Sequence, residues 1–189
     1  AELSRLLTAT LGSSRVLRGL SPRQRHLMYV VAATTGLRSA EIGSLSVDSL
    51  DLDSESPCIL LAAARGKNRR PVRQPLPRAV VPLILTHVSG MLPEAALWPG
   101  GWDGHAAEFL RADLERAGVP YIVSGPDGPL HADFHALRHT YVAHLEIAGV
   151  SLRDAMQLAR HSDPRLTLAR YGRSQADALG KIVDTLPGG

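Results

Sequence analysis

The pattern of apolar and polar positions predicts a helical N-terminal part of the chain. Residues 1–20 predict a short helix and a loose connection. Ser21 and Gln24 have the residue types of an N-cap and its capping-box partner, and the apolar helix that follows is predicted to end at Gly36. Ser39 is placed to cap a second, shorter helix.

The pattern changes between residues 46 and 77. SLSVDSLDLD alternates between apolar and polar positions, PCILLAAA is a continuous apolar run, and PVRQPLP is short and flanked by prolines. These segments predict three short antiparallel strands with RGKNRR as the turn between the second and third. Because proline lacks an amide proton, the last strand is expected at an edge of the sheet.

The remainder of the chain is predicted to be mostly helical. A helix around 78–90 is followed by the loop WPGGWDG, where Trp98 and Trp102 are expected to pack, and by a helix that Asp103 caps and that runs to Gly118. SGPDGP predicts an irregular, turn-rich connection. Further helices are predicted over 134–148, 151–160, 164–171 and about 174–186. The predicted fold class is α+β, mostly helical with one small three-stranded antiparallel sheet.

The amino-acid composition is typical of a globular protein: of the 189 residues, 44% are hydrophobic and 21% are charged. No apolar run approaches the roughly 20 residues that a membrane span needs, so no membrane association is expected. Cys58 is the only cysteine and is interpreted as a buried strand residue. The absence of an internal disulfide favours a reducing cytoplasm.

The basic residues are almost all arginine. Of 21 basic residues only Lys67 and Lys181 are lysines, and the net charge is +3. Arginine binds phosphate through a planar fork, and the cluster RGKNRRPVR favours a nucleic-acid partner. A genomic base composition that favours arginine codons is the simpler explanation of this skew.

The stretch HALRHTYVAHL, residues 135–145, carries the strongest candidate chemistry. With Asp133 as N-cap, helical periodicity separates a core sector from a sector that contains His135, Arg138 and His139. The core sector comprises Phe134, Leu137, Tyr141, Leu145 and Ala148. His135, Arg138 and His139 therefore lie near a helix N-terminus, where the dipole and unpaired amides favour an anion such as phosphate.

Two other interpretations of this stretch compete with a phosphate site. His135 and His139 have the i, i+4 spacing of two metal ligands, but Arg138 would place a fixed charge against the metal, and no metal site is predicted. A histidine-rich helix without a function is the other alternative.

Further candidate residues occur in a fixed order along the chain. Arg38 follows a predicted helix end, and Glu41 lies one turn later, where it could orient the arginine. Lys67 lies at the predicted strand turn, and His161 and Tyr171 bracket the segment HSDPRLTLARY.

This order and its local contexts resemble the catalytic domain of the tyrosine recombinases, the phage-integrase family. The segments that carry the resemblance are TGLRSAEI, RGKNRR, HALRHTYVAHL and ARHSDPRLTLARY, which together extend over nearly the whole chain. The sequence departs from the family pattern at Arg160, where the family usually has glycine.

The resemblance implies a role for each candidate residue. It implies Arg38 and Arg138 as phosphate-clamping arginines, Lys67 as general acid, His135 and His161 as active-site histidines, Tyr171 as nucleophile and Glu41 as a supporting acid. His139 is interpreted as a structural support. A tyrosine with a pKa of about 10 needs such help to attack a phosphodiester. The implied product is a 3′-phosphotyrosyl link with a free 5′-OH, and no metal or nucleotide cofactor is required.

The resemblance also implies a domain organisation and partners. Residues 1–20 are interpreted as an N-terminal linker with a short helix, and residues 21–189 as the catalytic domain. The N-terminal core-binding domain of full-length relatives is expected to be absent. Double-stranded DNA is the expected partner. The C-terminal helix, with Leu179, Ile182, Val183 and Leu186 on one side, is expected either to pack on its own domain or to mediate self-association in a tetrameric synapse. A cytoplasmic, nucleoid-associated location follows.

Three alternatives to a recombinase are considered. A type IB topoisomerase shares the same set of residue types, although HALRHT and the short tyrosine segment favour the recombinase. A non-catalytic DNA-binding remnant of a mobile element would be expected to have lost at least one of these residues. A metal-dependent hydrolase would need carboxylate and histidine ligands that the sequence does not assemble.

Overall fold

The computed structural model describes residues 1–61, 72–125, 128–161 and residue 165. The helices in these residues are α1 (Glu2–Leu11), α2 (Pro22–Thr35), α3 (Ser39–Gly43), α4 (Val81–Val88), α5 (Ala106–Arg116), α6 (His135–Ile147) and α7 (Leu152–Ala159). The strands are β1 (Leu50–Asp51), β2 (Cys58–Leu61), β3 (Val72–Pro75), β4 (Ile122–Gly125) and β5 (Gly128–His131). The chain divides into two compact units, residues 1–141 and 142–189.

The start and end of α2 follow directly from its sequence. The Ser21 hydroxyl accepts a hydrogen bond from the Gln24 amide at 3.3 Å, and the Gln24 side chain accepts one from the Ser21 amide at 2.9 Å. The helix ends at Gly36, whose φ of +65° is the left-handed conformation that glycine adopts at least cost. The predicted capping box and helix end are confirmed.

The three-stranded antiparallel sheet is confirmed, with the strand order β1-β2-β3. Leu50 pairs with Ile59, and Ile59 pairs in turn with Gln74. The strand β3 lies at an edge, as its prolines predict. The predicted turn RGKNRR lies outside the described residues.

The structure corrects the prediction for residues 122–131. The strands β4 and β5 form a second, two-stranded antiparallel sheet, where the sequence predicted an irregular connection. The sequence did not reveal this hairpin because glycine and proline, which favour turns, lie within the paired segments themselves, at Gly125, Gly128 and Pro129.

Two predicted helix caps are also wrong. Ser39 is the first residue of α3, and Arg38 is its N-cap, because the Glu41 carboxylate satisfies the Arg38 amide. Asp103 lies in a single 3₁₀ turn, Asp103–His105, and α5 begins only after it.

The core of the first unit is built around two tryptophans. Trp98 and Trp102 are both buried, and their indole N–H groups donate to the carbonyls of Gln24 (2.9 Å) and Trp98 (3.0 Å). Trp102 also contacts the rings of Phe109 and Phe134. The prediction that the tryptophans pack in the protein is confirmed, and so is the burial of Cys58.

A buried ion pair crosses this core. Arg25 donates to both carboxylate oxygens of Asp113, at 2.8 and 3.0 Å, and to the carbonyl of Leu20 at 2.8 Å. The Tyr29 hydroxyl donates to Asp113 at 2.8 Å. Burial and the Asp113 carboxylate raise the pKa of the Tyr29 phenol far above its usual range. Tyr29 therefore serves as a hydrogen-bond donor and not as a nucleophile.

The second unit has a small apolar cluster of its own. Val142, Ala155 and Ala159 are buried in it, and α7 starts at Ser151, whose hydroxyl accepts from the Asp154 amide at 3.1 Å. Ala148, predicted to face the core, is exposed because α6 ends one residue before it. No helix in the described residues is long and apolar enough to span a membrane.

Candidate active site

Arg38 lies at the junction between α2 and α3. Its backbone is extended (φ −75°, ψ 158°), and its side chain is 52% exposed. The backbone therefore turns at Gly36 and starts a new helix three residues later, at Ser39. This sharp change of direction presents the guanidinium of Arg38 to solvent from a constrained position.

Glu41 holds Arg38 at two points. One carboxylate oxygen accepts from the Arg38 backbone amide at 2.7 Å, and the other accepts from its Nη1 at 3.1 Å. The same carboxylate thus caps α3 and orients the arginine side chain. The spacing in the sequence had suggested that Glu41 could orient Arg38, and the structure has this geometry.

Arg138 is buried, with 2% of its surface exposed. Its Nη1 donates to the carbonyl oxygen of Gly36 at 2.5 Å. The sequence placed Arg138 on a sector away from the core, and in this respect the prediction is wrong: helical periodicity does not reveal that the turn after α2 covers that sector. Arg138 nevertheless contacts the turn that precedes Arg38, because its guanidinium donates to Gly36.

Tyr141 lies against the same turn, one helical turn after Arg138. A Cβ atom added to Gly36 would be 2.4 Å from Cδ1 of the Tyr141 ring. The hydroxyl of Tyr141 is 3.5 Å from the Nε2 of Gln74, which is buried on β3. From the sequence, Tyr141 is predicted only as a core residue and Gly36 only as a helix end, and no sequence signal links the two.

His135 and His139 contact each other along α6. Their ring centroids are 4.7 Å apart with an interplanar angle of 87°, an edge-to-face arrangement. His135 is exposed and its amide donates to Asp133 Oδ1 at 2.9 Å, which agrees with Asp133 as the predicted helix cap. Among the described residues, no group of three His, Cys, Asp or Glu side chains could hold a metal ion.

His161 follows the end of α7, in the second unit. Arg160 has a left-handed backbone with φ +52°. The His161 amide donates to Met156 at 3.0 Å and the Arg160 amide to Gln157 at 3.1 Å, the two bonds of a Schellman motif. A left-handed position favours glycine, which accounts for the glycine that the family usually has there.

The remaining predicted site residues cannot be placed. Lys67, Tyr171 and the C-terminal helix predicted over 174–186 lie outside the described residues. Five of the eight predicted residues lie in the described part of the first unit: Arg38, Glu41, His135, Arg138 and His139.

Comparison with protein families gives one match that covers most of the chain. A model described as the phage integrase family matches residues 2–177. Tyrosine recombinase XerC of Bacillus pumilus (strain SAFR-032) is 30% identical over 186 residues, which cover 95% of this chain and 57% of the relative. Tyrosine recombinase XerD of Mycobacterium leprae (strain TN) is 29% identical over 179 residues, covering 88% and 53%. The chain thus spans about half the length of the curated relatives it matches.

Solved structures share the fold. The XerH site-specific recombinase bound to its difH substrate, in a pre-cleavage complex, superimposes with a TM-score of 0.71 at 15% identity, covering 97% of this chain and 52% of that one. The Tn1549 transposon integrase in complex with circular intermediate DNA gives 0.71 at 16% identity, covering 97% and 64%. The catalytic domain of bacteriophage HP1 integrase gives 0.64 at 18% identity, covering 98% and 92%. These matches confirm the predicted fold class.

Proposed function

Because the chain belongs to the phage integrase family of tyrosine recombinases, we propose that it is the catalytic domain of a site-specific DNA recombinase. It cleaves and rejoins DNA strands through a 3′-phosphotyrosine intermediate. The observation that carries the proposal is the bond from Arg138 to Gly36, which ties this arginine to the turn two residues before Arg38. The catalytic domain proper comprises residues 21–189, with residues 1–20 as a linker.

The two arginines bind the non-bridging oxygens of the scissile phosphate. Arg38 is half exposed and held by Glu41, so its guanidinium is preoriented toward a ligand from solvent. Arg138 is buried, so its charge acts in a medium of low dielectric, where its attraction to a phosphate is stronger than in water. Fixed positive charge of this kind stabilises the negative charge that grows on the phosphate in the transition state.

The remaining residues move protons and form the covalent bond. The Tyr171 oxygen attacks phosphorus, and the bond from phosphorus to the 5′ oxygen breaks. His135 and His161 assist in removing the phenol proton, and Lys67 protonates the departing 5′ oxygen. The phosphodiester is replaced by a phosphotyrosyl ester of similar energy, so a 5′-OH can reverse the reaction and rejoin a strand.

Double-stranded DNA is the proposed partner. One similar structure is a site-specific recombinase bound to its difH substrate and another is a transposon integrase in complex with circular intermediate DNA, which supports DNA as the ligand of this chain. The net charge is only +3, so binding depends on local arginine clusters rather than on the charge of the whole domain. We expect phosphate contacts to dominate and affinity to fall steeply as salt rises.

Self-association on DNA and a nucleoid-associated, cytoplasmic location are also proposed. Self-association rests on the helix that the sequence predicts over 174–186, which would place Leu179, Ile182, Val183 and Leu186 on one side, and the location rests on the single cysteine. Sedimentation of the chain on a two-site DNA should give an assembly that Ile182→Glu abolishes. Unchanged assembly in that variant would contradict a role for this helix.

The central experiment uses a suicide substrate, a duplex nicked near the cleavage site so that the released fragment diffuses away. Incubated with the protein in EDTA, it should yield a covalent protein–DNA adduct. Tyr171→Phe should abolish the adduct, whereas the matched control Tyr121→Phe should retain it. An adduct that survives Tyr171→Phe, or that forms only with added metal, contradicts the proposed mechanism.

The same experiment separates the alternatives drawn from the sequence. A non-catalytic DNA-binding remnant would bind the duplex and give no adduct. A type IB topoisomerase would relax supercoiled plasmid that lacks any recombination site. The comparisons give no support to either alternative.

A further inference from the structure

Gly36 is held between two side chains of the same helix. Its carbonyl oxygen accepts from Arg138 Nη1 at 2.5 Å, and its Cα faces the Tyr141 ring so closely that an added Cβ would lie 2.4 Å from Cδ1. Residues 138 and 141 are three positions apart and so share a face of α6. The helix α6 therefore contacts the turn at two points, the carbonyl oxygen and the Cα of Gly36.

The position of this turn determines where Arg38 begins. Gly36 is bonded back to α2 through its amide, which donates to Ala32 at 2.9 Å. Two residues later, Arg38 is bonded forward to α3, because its carbonyl accepts from the Ile42 amide at 3.0 Å. A displacement of Gly36 relative to α6 would therefore displace Arg38 relative to Arg138.

A single hydrogen bond does not fix this geometry alone. The bond from Arg138 is made by the tip of a long side chain with several rotatable torsions, so the turn could slide or rotate about it. Tyr141 is 7% exposed, and its ring is rigid beyond two torsions. Contact between the ring and the Cα of Gly36 removes the freedom that the hydrogen bond leaves.

We propose that Tyr141 is a positioning residue whose ring sets the separation between Arg38 and Arg138. The inference rests on the proposed function, because the phosphate clamp that the two arginines form is part of it. Tyr141 itself does not touch the DNA. It acts through Gly36, and Gly36 is glycine both for its positive φ and because the ring occupies the space of a Cβ.

The test compares two forms of the suicide substrate in single-turnover cleavage. One has an ordinary scissile phosphate, and in the other a methyl group replaces one non-bridging oxygen and removes its charge. A clamp of two arginines matters less when there is no charge to stabilise. The ratio of the cleavage rate on phosphate to that on methylphosphonate therefore measures the clamp rather than general activity.

We expect Arg38→Ala to lower this ratio by about 10²–10³-fold, as loss of one transition-state donor does. Tyr141→Leu removes the ring and should lower the ratio by about 10-fold or more, because small misplacements of binding groups are costly. Tyr141→Phe keeps the ring and should leave the ratio close to that of the unsubstituted protein.

The matched control is Tyr121→Leu. Tyr121 is half-buried in the same unit, and its ring contacts His131 and Arg111 instead of Gly36. Its substitution should leave the ratio unchanged even if both rates fall. Melting curves identify any variant that fails to fold, and in that case Tyr141→Met, which keeps most of the volume without the rigid ring, replaces Tyr141→Leu.

The outcomes distinguish failure of the inference from failure of the proposed function. If Arg38→Ala does not lower the ratio, the two-arginine clamp itself is wrong. If Arg38→Ala lowers it but a folded Tyr141→Leu or Tyr141→Met reduces both rates equally, the role of Tyr141 is merely structural and the inference is overturned. A lowered ratio in Tyr121→Leu as well would equally overturn it.

Discussion

Arg138 donates a hydrogen bond from Nη1 to the carbonyl oxygen of Gly36, which precedes it by 102 residues in the chain. The bond joins the helix that carries one proposed clamp arginine to the turn that carries the other. Burying a guanidinium costs free energy, because the charge loses its hydration. The burial of Arg138 is consistent with the functional role proposed for this arginine.

The first prediction concerns Gly36. Gly36→Ala should lower the free energy of unfolding through two costs: the left-handed backbone, about 1–2 kcal/mol, and the contact with the Tyr141 ring, about 1–3 kcal/mol more. Chemical denaturation measures the sum.

Gly118→Ala is the matched control for this substitution. Gly118 also has a positive φ, +62°, but an added Cβ would meet nothing within 4 Å. It should therefore show the backbone cost alone. Equal destabilisation of the two variants would mean that the ring of Tyr141 yields without cost.

The second prediction concerns the buried ion pair of Arg25 and Asp113. Asp113→Ala should destabilise the protein by about 3–5 kcal/mol, because it leaves a buried guanidinium without its counterion. Tyr29→Phe should cost less, about 1–2 kcal/mol, because Asp113 keeps both bonds from Arg25. Urea denaturation of each variant measures these differences.

The exposed pair of Arg18 and Glu108 is the control for the buried one. The two residues form a 2.5 Å ion pair at the surface, with side chains 47% and 58% exposed. Arg18→Ala should leave the denaturation midpoint nearly unchanged, because solvent screens such pairs. A similar loss for the exposed and the buried pair would contradict the role given to burial.

The third prediction concerns the left-handed residue before His161. Arg160→Gly should raise the free energy of unfolding of the second unit by about 1 kcal/mol, because glycine adopts φ +52° with little strain. Arg153→Gly, an arginine replaced inside α7, should have the opposite sign and cost about 1 kcal/mol. Hydrogen exchange of α7 amides reports both, and a destabilising Arg160→Gly would show that its side chain outweighs the strain.

The fourth prediction is a pH dependence. The Arg73 guanidinium, 2.6 Å from the Asp51 carboxylate, holds the pKa of that carboxyl below its usual value. A carboxyl whose pKa is lower in the folded state contributes stability above its unfolded pKa of about 3.9 and loses it as the pH falls through the folded pKa. The stability difference between the unsubstituted protein and Asp51→Asn should therefore be constant near neutral pH and disappear in acid. Denaturation from pH 7 to pH 2 measures it, and a difference that grows on acidification has the wrong sign.

The fifth prediction separates the two histidines at the start of α6. His135 is proposed to handle a proton, so His135→Phe, which keeps a ring but loses the nitrogens, should lower cleavage by about 10²–10⁴-fold. His139 is proposed to support the His135 ring edge to face, so His139→Phe should retain far more activity than His139→Ala. Equal losses for the two substitutions at 139 would indicate that its nitrogens matter.

Local chemistry explains which parts of the fold are predictable from the sequence. The capping box of Ser21 and Gln24, the helix end at Gly36 and the pairing of the three short strands depend on nearby residues, and each is confirmed. The second hairpin was missed because its strands contain Gly125, Gly128 and Pro129, residue types that favour turns over strands. The burial of Arg138 was missed for a different reason: it depends on a turn a hundred residues away, which helical periodicity does not contain.

In the candidate site too, the sequence predicts the features that depend on nearby residues and misses those that depend on distant ones. The order of residue types identified Arg38, Glu41, His135 and Arg138 as candidates, and the structure brings the arginines to one turn. The part played by Tyr141 depends on a contact with the Cα of a glycine, which has no side chain to leave a pattern. Contacts of this kind become visible only in three dimensions.

The solitary thiol of Cys58 makes the small sheet observable in solution. It is the only cysteine among 189 residues, it is 3% exposed on the central strand β2, and burial raises its pKa. A thiol-reactive dye can therefore reach the Cys58 thiol only when the sheet opens, so the labelling rate reports how often the sheet opens. Because β2 and β3 flank the segment that contains Lys67, labelling with and without DNA would show whether substrate closes this part of the protein, with no engineered probe.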